Sequence, residues 1–352
     1  MKLATMLAGL LGALLTGVLL ARFGMHAVAG LVLSAGWGLA GALVLHGLQT
    51  ILSARSWQIM TADAGATLRL RDFFLLRCVR EGVNNLLPVA QVGGEVVTGR
   101  LLARRGPGTR RAAAATICDL TLELLSQLAL TALGLLVLLM LVHRSHTTDL
   151  LLESSMTALI AGVVMAALQF CGALSIVEGL LLRIGGHLGW TGTEGVRGLN
   201  SEILSLYKRG NNAPRAGFAQ FLGWLLGTFE VCVILGSMGH PATVSQGLVI
   251  ESVGQAAKSV GFAVPGALGV SEGGYILICG LFGFPPPVAI SLSLVKRLRE
   301  LAWGLPSLGL WSWLEHHWCA PAQHDAVSVP RRWWSWGAGA RDGVHGGGPG
   351  AV

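Results

Sequence analysis

The sequence predicts an all-α polytopic membrane protein, with about seven transmembrane helices and two re-entrant broken-helix segments set in an inverted-repeat bundle. Three observations predict it. Hydrophobic residues make up 53% of the chain and charged residues 12%, against roughly 25% charged in soluble domains, and mean hydropathy is +0.63. Glycine fills 50 of 352 positions, which suits helices that pack closely in lipid through small residues. Two short segments also share one pattern: a proline, small residues, then a glutamate seven positions on, in Pro88 to Glu95 and in Pro265 to Glu272.

The apolar runs follow in order. Residues 3–21, flanked by Lys2 and Arg22, read as a retained first span rather than a cleaved signal peptide, although Ala27-Val28-Ala29 resembles a cleavage site. Residues 27–52 read as a second span, with Gly30, Ser34, Gly38 and Ala42 as a small-residue stripe. Across 55–81, arginines alternate with Phe73, Phe74, Leu75, Leu76 and Val79, the pattern of an amphipathic helix at the membrane surface. The first proline–glutamate segment comes next, then a basic loop turning at Gly106-Pro107-Gly108. Further spans are read at 112–142, 157–177, 216–238, 274–295 and 300–314, the last two separated by Lys296, Arg297 and Arg299. The chain divides into a transmembrane domain, 1–315, and a short Trp- and Gly-rich flexible tail, 316–352.

Net charge is +7, and most arginines fall in segments read as short loops. Such charge sets topology and attracts anionic head groups; it does not indicate nucleic-acid binding. The positive-inside rule puts Lys2, 55–111, 178–215 and 296–299 on the cytoplasmic side, and 143–156 and 237–243 outside. This closes only if 82–98 and 244–272 dip into the bilayer from opposite faces and return. Irregular backbone at that depth must be shielded by protein or line a wet cavity. The scheme leaves the tail outside, where Arg331 and Arg332 fit poorly.

The candidate site residues are polar groups in apolar surroundings, which are expensive and so pair, cap or function. Glu95 and Glu272 are the sharpest. They read either as carboxylates lining a polar cleft or as first-turn residues stabilising helix N-termini. Asn84 and Asn85 offer amide donors and acceptors at the break before Pro88. Gly93 and Gly94, and Pro265, Gly266 and Gly269, shape the two breaks. Thr116, Asp119, Glu123 and Gln127 share one helical face. Glu230 lies deep in its span, with Lys258 as the expected partner. His46, alone on an apolar face, reads as a packing histidine.

The six cysteines are scattered without a Cys-x-x-Cys and read as buried apolar residues. His316, His317 and Cys319 fall short of a metal ligand set. There is no Gly-x-x-x-x-Gly-Lys-Ser/Thr loop, no His-Glu-x-x-His and no Asp-x-Asp. No cofactor is expected.

The run Asn85-Leu86-Leu87-Pro88-Val89-Ala90-Gln91-Val92-Gly93-Gly94-Glu95, the arginine-rich loop after it, and Val264-Pro265-Gly266-Ala267-Leu268-Gly269-Val270-Ser271-Glu272-Gly273 resemble the transmembrane region of lysylphosphatidylglycerol synthases. The wider set is the flippase-like membrane family, and the wording of the first run is similar to its hopanoid-biosynthesis-associated branch. The resemblance covers about residues 1–315. It implies a bacterial inner-membrane protein that moves or presents a lipid, with a hopanoid or an anionic phospholipid as partner. The aminoacyl-transfer activity of the synthases belongs to a separate soluble domain and is not carried over to the short tail seen here.

A lipid transporter or flippase is therefore the leading expectation, with Glu95, Glu272, Asn85 and Lys258 around the head group. A non-catalytic scaffold that holds lipid-biosynthesis enzymes, self-associating or not, and a membrane-embedded lipid-modifying transferase are the alternatives. The residues do not reveal cargo, direction, energy source or oligomeric state.

Overall fold

The computed structural model describes residues 30, 32–61, 68–87, 93–141, some positions between 153 and 167, 198–260 and 269–318. Among these, every regular element is a helix and none is a strand. In order they are α1 (Gly36–Thr61), α2 (Leu70–Leu86), α3 (Gly93–Arg104), α4 (Thr109–Leu141), α5 (Leu199–Tyr207), α6 (Asn212–Ser237), α7 (Val244–Val260), α8 (Val270–Leu281) and α9 (Pro286–Trp318).

One succession of lengths occurs twice. Helices of 26, 17, 12 and 33 residues run from α1 to α4, and helices of 26, 17, 12 and 33 residues run from α6 to α9. Each proline–glutamate segment begins after the 17-residue member and ends in the first turn of the 12-residue member, with 88–92 and 261–268 outside the described residues. The two sets interlock. α1 and α6 form the most extensive helix pair, α2 of the first set packs on α9 of the second, and α7 of the second packs on α4 of the first.

Small residues permit the crossings. A Cβ on Gly38 would collide with the Ser237 side chain, and one on Gly41 would lie 2.8 Å from Val233, so α1 and α6 meet closely. Ala42 is also fully buried, but Gly30 has open space around it. A Cβ on Gly82 would lie 2.8 Å from Ser307, and one on Gly304 would lie 2.9 Å from Leu86, so α2 and α9 cross on two glycines. A Cβ on Gly134 would collide with Ser252, which sets the α4–α7 contact. Two apolar clusters close the ends of this arrangement. One gathers Leu138, Ile234, Ile250, Ile278 and Leu292; the other gathers Trp57, Phe73, Leu76, Leu101 and Leu314.

α1, α4 and α6 are long and apolar enough to cross a membrane. At 1.5 Å per residue, even 26 residues reach about 39 Å, beyond the roughly 30 Å hydrocarbon core. The expected spans at 27–52, 112–142 and 216–238 thus correspond to helices, the first displaced toward the C-terminus. The span at 3–21 lies outside the described residues, as do most of 157–177 and of the loop at 143–156.

Two readings of the basic residues are corrected. The amphipathic surface helix expected over 55–81 is instead the end of α1 and a separate α2, with Arg77 and Arg80 buried at 3% and 4% exposure. Arg55, Arg69 and Arg71 in the same stretch are exposed. The loop expected at 296–299, between spans 274–295 and 300–314, is the middle of the continuous helix α9. Lys296 and Arg299 are buried there among carboxylates. Local composition marks a charge; it does not reveal whether a distant helix brings the opposite charge to it.

Candidate functional site

The middle stretches of α1, α4 and α6 surround a cavity of about 380 Å³, completed by α2, α3, α7 and α9. Mid-helix segments of three helices long and apolar enough to cross a membrane line it. Its walls carry charges of both signs: Arg77, Arg80, Lys258 and Arg299 with Glu81, Glu95, Glu123 and Glu300. Amides and hydroxyls fill the remainder, among them Gln49, Ser53, Asn85, Gln127, Gln220 and Gln255.

The first wall is built on α2. Arg77 and Arg80 are three residues apart and project from one face. Arg77 Nη1 donates to Asp119 Oδ2 and to Glu123 Oε2, each at 3.1 Å. Its Nη2 also meets Ser53 Oγ, which in turn donates to Gln220 Oε1 at 2.8 Å. Arg80 spreads its fork over three carboxylates: Nη1 to Asp119 at 2.9 Å, Nη2 to Glu123 at 2.7 Å, and Nε to Glu95 at 2.8 Å. The planar guanidinium suits such multiple contacts, where a lysine would make one point contact.

Asn84 bridges the break. Its amide nitrogen donates to both Glu95 oxygens at 3.0 and 3.2 Å, and its Oδ1 accepts the Gly94 backbone N–H at 2.8 Å. Gly94 is required there, because a Cβ would lie 2.5 Å from the Arg80 carbonyl oxygen and 2.7 Å from Asn84 Oδ1. Asn85 lines the cavity. Gly93 opens α3, and Pro88 lies outside the described residues.

The second wall is built on α9. Glu230, fully buried, accepts both of its bonds to Arg299 from Nη1, at 2.8 and 2.6 Å, and a third from Gln49 at 3.1 Å. Lys296 Nζ donates to Glu251 at 2.5 Å and stands 3.8 Å from Glu230. Glu251 fits because α6 carries Gly227, whose Cβ would lie 2.7 Å from Glu251 Oε1. Lys258 Nζ donates to Glu300 at 2.6 Å. The expected Glu230–Lys258 pair is therefore corrected: Arg299 takes Glu230, and Glu300 takes Lys258. His46 packs edge-on against Trp303, with its Nε2 2.8 Å from Glu81 Oε2 at the cavity edge.

The two proline–glutamate segments place their carboxylates differently. Glu95 reaches the cavity, with its side chain 11% exposed. Glu272 is fully buried: its Oε2 accepts the Gly269 N–H at 2.7 Å and Ser271 Oγ at 3.1 Å, and its Oε1 accepts Arg297 Nε at 2.8 Å. It caps α8 and is held by α9, away from the cavity lining. Gly269 adopts φ +80, a conformation that favours glycine, at the start of α8. Pro265 and Gly266 lie outside the described residues. Of the singled-out residues, the fold gathers Asn84, Asn85, Glu95, Glu123 and Lys258 on the cavity wall, with Asp119 and Glu230 paired behind it.

The site also recruits residues that the sequence reading missed. By sequence Arg77, Arg80 and Arg299 look like surface or loop charges, and nothing local marks Gln49 or Gln255; Gln220 shares a helical face with Glu230. The available signal was the i, i+3 spacing of Arg77 and Arg80 matched by the i, i+4 spacing of Asp119 and Glu123. Among the described residues, no group of three or more His, Cys, Asp or Glu side chains is placed to hold a metal ion.

A helical bundle of membrane-length helices with an ion-paired polar cavity among them defines a helical membrane protein. The chain belongs to the family described as the lysylphosphatidylglycerol synthase TM region, whose model matches residues 5–305. It is also similar to a UPF0104 membrane protein of Methanothermobacter thermautotrophicus, 25% identical over 289 residues, covering 76% of this chain and 82% of that protein. No solved structure matches the chain.

Proposed function

We propose that the protein carries lipid head groups between the leaflets of the cytoplasmic membrane, a flippase-type activity, with the polar cavity as the head-group path and the acyl or polycyclic tail left in the bilayer. The observation that carries this reading is the cavity: a charged, amide-lined space among α1, α4 and α6, lined also by α2, α3, α7 and α9. Interrupted helices in corresponding positions of two halves are how many membrane transporters build a midplane site. In this reading the two halves insert with opposite orientation, so that the breaks after α2 and after α7 face opposite sides of the membrane. The family's name ties the reading to lipid, and the hopanoid implied by the Asn85–Glu95 wording is the first cargo to try beside anionic phospholipid.

The test is reconstitution of purified protein into liposomes carrying a fluorescent lipid in both leaflets, followed by a membrane-impermeant quencher. Quenching of nearly all the fluorescence, against about half in protein-free liposomes, is expected; quenching that stays at about half with every lipid tried would remove the transport reading and favour a scaffold. Opposite insertion is checked with single cysteines at Asn85 and Ser271 in a background without the native cysteines. Labelling of both from one face would overturn it.

A further inference from the structure

The two halves differ in charge balance. Around α9, four cations (Lys258, Lys296, Arg297, Arg299) meet four carboxylates (Glu230, Glu251, Glu272, Glu300). Around α2, two cations (Arg77, Arg80) meet three carboxylates (Glu95, Asp119, Glu123). The first network thus holds one negative charge in excess. Asp119 has no exposed surface, and its Oδ1 is buried without a hydrogen-bond partner among the described residues. Glu123, one turn away, is 28% exposed and lines the cavity. An unbalanced buried charge is costly, and the ordinary remedy is a bound proton.

We propose that this five-residue network carries one exchangeable proton, shared between Asp119 and Glu123 and reached from the cavity through Glu123, and that lipid movement is coupled to its loading and release. The coupling rests on the transport reading above; the proton site does not. Loading takes a proton from a hydronium in the cavity onto a carboxylate oxygen and leaves water. The loaded network is neutral: two guanidiniums, two carboxylates and one carboxylic acid. Loading withdraws an acceptor from Arg80, whose guanidinium is tied to both α3 and α4. It loosens the α2–α4 contact while the Arg80–Glu95 tie persists, which is the differential contact a coupled conformational change needs.

The groups facing the pair are few. From α2 come Arg77, Arg80 and, nearer Arg77, Glu81. From α3 comes Glu95, from α5 the phenol of Tyr207, and from α4 itself the Cys118 thiol. α1 and α6 contribute the uncharged Ser53 and Gln220, and the cavity wall also carries His46 of α1, paired with Glu81, Lys258 of α7, and Arg299 and Glu300 of α9.

The test uses the full chain in lipid nanodiscs and in liposomes. Infrared difference spectra recorded across mildly acidic to mildly alkaline pH should show one carboxylic acid band that titrates and is lost in Asp119→Asn. Because D119N leaves two cations with two carboxylates, it should fold with an undiminished unfolding midpoint; if it does not fold, Glu123→Gln supplies the same comparison. In liposomes, an imposed pH gradient should bias the leaflet ratio by about tenfold per pH unit for one proton per lipid. No titrating band in the parent, or a band unchanged in both variants, overturns the proton site. A titrating band with leaflet ratios blind to the gradient, while lipid still equilibrates, overturns the coupling. A band with no lipid movement at all supports the proton site and removes the transport reading instead.

Discussion

Arg80 Nε donates to Glu95 Oε1 at 2.8 Å across the interruption between α2 and α3, while the other nitrogens of the same guanidinium hold α4. One guanidinium thus ties α2 to both α3 and α4. Its partner arginine shows the relation between the halves. Arg77, eighth residue of α2, pairs with Asp119, eleventh of α4; Glu251, eighth of α7, pairs with Lys296, eleventh of α9. The same helix positions carry the same bond with its signs exchanged.

Arg80→Lys keeps the charge and loses the fork. One ammonium cannot serve Glu95, Asp119 and Glu123 from three directions, and hydrogen bonds to charged groups contribute about 1.5–3 kcal/mol each. The variant should lose roughly 2–3 kcal/mol, read as a lower unfolding midpoint in detergent. An unchanged midpoint would show that the three contacts do not hold the break together.

Glu95→Gln and Glu272→Gln should separate by what they damage. Glu272 is a buried cap paired with Arg297, and breaking a buried pair from one side costs about 3–5 kcal/mol. Glu272→Gln should therefore reduce folded protein. Glu95→Gln retains an acceptor for Arg80 and Asn84, so it should stay folded and slow lipid movement in liposomes at least several-fold. Folded, fully active Glu272→Gln protein would contradict the assignment of Glu272 to structure.

The Glu251–Lys296 pair predicts a strongly non-additive cycle. Glu251→Gln and Lys296→Met each leave an uncompensated buried charge and should each lose about 3–5 kcal/mol. The double variant should recover most of that loss. Stability measured for all four proteins checks it, and simple addition of the two single effects would refute the pairing.

Gly94→Ala places a methyl group against the Arg80 carbonyl and Asn84. Overpacking of this kind costs about 1–3 kcal/mol. Accessibility of a cysteine at Asn84 to a small thiol reagent should rise in the Ala variant as the α2–α3 contact opens, and an unaltered labelling rate would argue against the close approach.

Arg100→Ala serves as the contrast. Arg100 meets Glu315, but the arginine side chain is 53% exposed. Exposed pairs contribute about 0–1 kcal/mol, so the variant should unfold at nearly the parental midpoint.

Much of the architecture is written locally. Apolar runs long enough to span lipid announce α1, α4 and α6, because a chain in hydrocarbon must satisfy its own backbone through helices. The first proline–glutamate segment follows the end of α2 at Leu86 and the second runs into the start of α8 at Val270, because a proline lacks the N–H that a helix interior needs; Pro306 inside α9 shows that a proline alone does not decide the matter. The carboxylates of α4 fall on one face by spacing alone.

Only the tertiary structure decided which charges meet. Arg77, Arg80, Lys296 and Arg299 look in sequence like residues bound for water, and they are buried because helices far along the chain deliver Asp119, Glu123, Glu230 and Glu251 to them. It also decided that Glu95 faces the cavity while Glu272, alike in sequence, caps a helix. Helix periodicity is a property of neighbours within a turn or two, whereas the pairing of buried charges depends on which faces the bundle turns toward each other, and that is set by packing.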